Sequence, residues 1–65
     1  MKAEDIHVHG VYRGKRRGVS DRFVMFISSD RSVVQYDSDA VRIGQHFPSV
    51  SMDKFLRWAK EEISQ

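Results

Sequence analysis

The chain contains no cysteine, a single proline and a single tryptophan among 65 residues. Without cysteine it has neither a disulfide framework nor a thiolate zinc site to reinforce a small core, so it must fold by packing alone. No apolar run approaches the ~20 residues needed to span a bilayer. The start, "MKAEDIHVHG", carries no hydrophobic segment of the kind that directs export. With neither feature present, the cytoplasm is the expected location.

Hydrophobic residues make up 40% of the chain, 31% is charged, and the formal net charge is +2. That balance supports a folded core and excludes the low-hydrophobicity, high-charge class of disordered chains. A chain this short makes one domain and buries only about 60% of its extended surface, so a second copy or another partner would add usefully to its stability.

The pattern along the chain predicts four strands and one helix. "IHVHGVY" alternates like a half-buried strand over residues 6–12. "RGKRRGVSDR" has no period and forms a long basic loop over 13–22. "FVMFIS" (23–28) and "VVQY" (33–36) read as a hairpin around the polar tip Ser29-Asp30-Arg31. After the turn "DSD", "AVRI" (40–43) reads as a fourth short strand, and "GQHFPSV" as an irregular crossing.

From Met52 to Ile63 the period changes to three and four, with Phe55, Leu56 and Ala59 in one stripe and Trp58 at its margin. Ser51 is placed to cap that helix, and Asp53 suits the positive end of its dipole. The expected fold is α+β: a four-stranded antiparallel, strongly curled sheet followed by one C-terminal amphipathic helix.

This order, a Gly-x-Tyr strand (Gly10, Tyr12), a basic loop, a hairpin ending "VVQY" and the terminal "SMDKFLRWA" helix, resembles the small SH3-like domains found in many short phage and plasmid proteins. The likeness is one of layout. It implies an SH3-like sheet and an accessory role, and it brings no functional residue with it.

The basic loop is the first candidate site. Arg13, Lys15, Arg16 and Arg17 form four cations with no acid among them, and Arg22 follows just after Asp21. Gly14 and Gly18 would let the backbone approach a phosphate, and Tyr12 and Phe23 at the ends of the loop offer rings for stacking. The plain alternative is a solvated loop that keeps a sheet edge from aggregating.

His7 and His9 would share one face of the first strand, but two imidazoles do not make a metal site without a third ligand such as His46 or Asp5. No metal or cofactor is expected. Asp37 and Asp39 flank a serine in turn chemistry rather than forming a catalytic pair, and no nucleophile, base or nucleotide-binding glycine loop accompanies them. The chain is therefore expected not to be an enzyme. Phe47, Pro48 and Trp58 would form an interaction patch if exposed together.

Two readings follow. The first is a protein-interaction module, engaging a host or phage protein or a second copy of itself. The alternative is a nucleic-acid-binding protein using the basic loop on the phosphate backbone. Neither a membrane nor a small-molecule substrate is implied. The placement of the other charges separates the readings: Arg31, Arg42 and Lys54 beside the loop would favour nucleic acid, whereas Asp30, Asp37 and Asp39 there would favour the module.

Overall fold

Alternation in the middle of the chain produces the sheet. The computed structural model describes residues 1–63. It contains β1 (Val11–Gly14), β2 (Arg22–Ile27), β3 (Val33–Ser38), β4 (Ser49–Ser51), the helix α1 (Met52–Trp58) and β5 (Ala59–Glu62). All pairings are antiparallel, in the order β4-β3-β2-β1-β5.

Period 2 along β2 and β3 turns Val24, Val34 and Tyr36 to one face, against α1. A bulge between Val24 and Phe26 absorbs one residue of β2. It places Phe26 opposite Gln35 on the outer face and returns Ile27 to the inner one, opposite Val34. Buried Ile6, Tyr12, Met52, Phe55 and Ala59 complete the core.

Ser51 caps α1 as expected, its hydroxyl accepting the Lys54 N–H at 3.1 Å. The expected helix over 52–63 nevertheless stops at Trp58. Residues Ala59–Glu62 become a strand because β1 has a free edge there, and the pairing of Arg13 with Glu61 and Tyr12 with Glu62 fills it. Backbone bonds along a waiting strand outweigh the helix propensity of "KEE".

The strand expected over 40–43 is a turn region. Val41 N–H donates to the Ser38 carbonyl at 3.0 Å, and Ile43 is fully exposed. The free edge of β3 is taken instead by β4, whose Val50 lies opposite Val34 and packs on the core. The sheet thus has five strands, not four. Its edge strands β4 and β5 do not pair with one another, and it is neither closed nor strongly curled as expected.

The first expected strand also shortens. Residues Ala3–Asp5 form a single 3₁₀ turn and Val8–His9 a second turn, so β1 begins only at Val11. Side chains satisfy the backbone there in place of a ladder. Arg31 donates to the carbonyls of Ala3 and Ile6 at 2.7 and 2.6 Å. The Tyr12 hydroxyl accepts the His7 N–H at 2.7 Å and donates to the Asp5 carbonyl at 3.1 Å. His7 and His9 therefore do not share a strand face, and His9 stacks on Phe23 with ring centroids 5.9 Å apart.

Candidate functional site

The basic segment divides between strand and loop. Arg13 and Gly14 end β1, Arg22 opens β2, and residues 15–21 connect them. The loop is pinned to the end of the helix, since the Lys15 N–H donates to the Trp58 carbonyl at 2.9 Å. Gly14 is buried, and a Cβ there would lie 2.7 Å from the Trp58 indole and from Val19. Its role is to admit the Trp58 ring rather than a phosphate. Gly18, with φ +80° and open space around it, turns the loop.

The loop's cations do not all remain available. Arg13 pairs with Glu61 across the β1–β5 ladder at 2.9 Å. Such an exposed pair contributes about 0–1 kcal/mol. Lys15, Arg16 and Arg17 are exposed, and Lys60 of β5 joins them around a depression of about 220 Å³ whose one acid is Asp21. Arg31 and Arg42 lie in other clefts, beside Asp30 and Asp53 and beside Asp37 and Asp39 respectively. The loop thus gains Lys60 but neither of those arginines, and those four aspartates do not line its depression.

Tyr12 is fully buried, with its hydroxyl bonded to backbone on both sides. Burial, the largest cause, pushes its pKa up from the usual phenol value. It offers no ring to a partner.

Arg22 stands differently. The pairing of Tyr12 with Arg22, and of Arg22 with Ser38, puts its side chain on the inner face at the end of the sheet. Its guanidinium carbon sits 4.0 Å from the centre of the Trp58 ring and 4.2 Å from that of Tyr36, with Phe55 at 5.9 Å. Stacking of this kind contributes about 0.5–2 kcal/mol per ring. Among the described residues the Arg22 side chain makes no hydrogen bond or ion pair. Burial holds its pKa below the ordinary guanidinium value, yet an arginine stays charged at neutral pH.

This clamp floors a groove of about 440 Å³ between the basic loop and the loop after β3, with Arg16 and Ala40 on its rims. One end opens into the basic depression through Arg16, Gly18 and Val19. The other continues past Tyr36 into a stretch carrying Gln45, His46 and Pro48. Half-buried Trp58 lines this groove, whereas Phe47 does not and lines the adjoining cleft with Asp37 and Asp39.

Sequence reasoning did not single out Tyr36 or Lys60. The alternation in "VVQY" already places Tyr36 on the face of Val34, but Lys60 is misplaced as long as 59–62 is read as helix. Compared with protein-family models, with curated proteins and with solved structures, the chain finds no match.

Proposed function

We propose that the chain is a small, non-enzymatic nucleic-acid-binding accessory protein that contacts the phosphate backbone through its basic loop. The observation that carries this reading is the gathering of Lys15, Arg16, Arg17 and Lys60 around one depression that holds a single acid and leads into the Arg22 groove. Clustered cations are the electrostatic footprint of such proteins, and half-buried Tyr36 and Trp58 lie beside them in the adjoining groove. The strand order, with the helix between β4 and β5 in the chain, supports reading the layout as SH3-like in strand order, with a sheet that stays open.

The test is binding of a labelled oligonucleotide across a salt series. Four phosphate contacts correspond to a slope of log affinity against log salt of roughly −3 to −4. The double variant R16E/R17E should abolish binding at moderate salt. Failure of the wild-type protein to retain DNA or RNA even at low salt would sink the proposal.

The second reading, a protein-interaction module, draws support from the outer face of the sheet. Phe26 and Val33 are diagonal neighbours there, 54% and 39% exposed. Under that reading the partner is a host or phage protein or a second copy of the chain. Sedimentation showing a dimer that Phe26→Ser converts to monomer would favour it.

A further inference from the structure

Resting on the nucleic-acid reading, we infer that the ligand is a single strand, held by one phosphodiester on the guanidinium of Arg22, with an adjacent base on the arm of the groove beyond Tyr36.

The anchor comes first. The Arg22 guanidinium carbon lies 4.0 Å from the centre of the Trp58 ring and 4.2 Å from that of Tyr36, and these contacts restrain the group beside the groove. A planar guanidinium restrained in this way can present two N–H donors to the two non-bridging oxygens of a phosphodiester. The groove above it contains Arg16 and no acid. Among the described residues its donors have no partner, unlike those of Arg13 and Arg31.

The shape of the groove selects the form of the nucleic acid. Arg22 is half-buried on the floor, below rims formed by the loop 15–21 and by Ala40. A duplex presents its phosphates on a broad convex surface, which would meet exposed Arg16 on the rim, and Lys15 and Arg17 in the neighbouring depression, and stop short of half-buried Arg22. A single strand can enter between the loops.

The two arms differ in chemistry, and that gives the strand its placement. The loop arm carries the cations, while the arm beyond Tyr36 carries Gln45, His46 and Pro48. Gln45 Oε1 already accepts the Arg42 N–H at 2.9 Å, which leaves its amide N–H groups for a base edge. Pro48 supplies a flat apolar surface beside them. Phosphates on one side of Arg22 and bases on the other is the arrangement a single strand requires.

Because Trp58 is the sole tryptophan, tryptophan emission reports on the surroundings of this one ring, which lines the groove. The experiment titrates the full chain with labelled oligothymidylate or oligouridylate of about eight nucleotides, and with a duplex of equal length. Anisotropy and Trp58 emission are read together. The expected result is that the single strand changes Trp58 emission in step with anisotropy, whereas the duplex binds weakly through the rim without that change.

Arg22→Lys keeps the charge but loses the flat donor edge, and should lower single-strand affinity about tenfold while changing duplex affinity less than about twofold. Ala40→Glu adds an acid at the exposed rim, outside the core packing, and should act in the same direction. Thermal unfolding of each variant confirms that it is folded.

Equal affinity for both forms with static Trp58 emission, or silence of both variants, would overturn the inference. If R16E/R17E still abolished binding in that case, the broader reading would stand without it. Absence of any binding by the wild-type protein would overturn both.

Discussion

The two glycines of "RGKRRG" have separate physical causes, and substitution distinguishes them. At Gly14 the obstacle is space: a methyl group would meet the indole of Trp58 and Val19 at 2.7 Å. Gly14→Ala should therefore cost about 1–3 kcal/mol, as overpacking does. It should also shift Trp58 emission, because the ring has to move. At Gly18 nothing lies within 4 Å and the obstacle is φ, at +80°. Asparagine tolerates that conformation better than other residues. Gly18→Asn should thus be mild while Gly14→Asn is severe, and urea unfolding of the pair checks both. Equal costs at the two positions would contradict the packing role of Gly14.

Among the elements, the β2–β3 hairpin carries a titratable lock at its tip. The Asp30 carboxylate accepts the Ser32 and Ser28 hydroxyls at 2.7 and 2.8 Å and the Ser32 N–H at 3.0 Å. These bonds hold its pKa down to about 2, Ser32 contributing most. Since the folded value lies below the unfolded one of about 4, the stabilisation is present above pH ~4 and is lost as pH falls through ~2. The urea midpoint of the wild type should exceed that of Asp30→Asn at pH 6, and the gap should close toward pH 2. A gap that stayed constant over that range would rule out the carboxylate as its source.

The hairpin was legible from its alternation and turn residues, as was the start of α1 from Ser51 and Asp53. The end of α1 was not, because Lys60, Glu61 and Glu62 suit a helix and only the empty edge of β1 makes them a strand. "IHVHG" misled for a related reason: the guanidinium of Arg31, from a distant turn, takes the carbonyls of Ala3 and Ile6.

For the whole molecule, the same limit governs the candidate site. The charges of the loop could be read directly, and Arg22 and Trp58 each drew attention, but their meeting depends on the β1–β2 register and on where the helix stops. Tyr36 enters through the β2–β3 register in the same way. The resulting groove joins β2, β3, the basic loop and the last residue of α1, so a ligand bound there ties the exposed loop to the core elements. A domain of this size has a thin stability margin, and ligand linkage should be correspondingly visible. An oligonucleotide at a hundred times its dissociation constant adds about 2.7 kcal/mol. For so small a domain that raises Tm by about 10–20 °C. The shift should shrink as salt rises, because the affinity behind it is electrostatic. It should also be lost in R16E/R17E even when the unliganded Tm of that variant matches the wild type, since those side chains are exposed and support no packing. A Tm unmoved by oligonucleotide at low salt, measured by differential scanning calorimetry, would count against the basic end of the sheet as a nucleic-acid surface and turn attention to the outer face around Phe26.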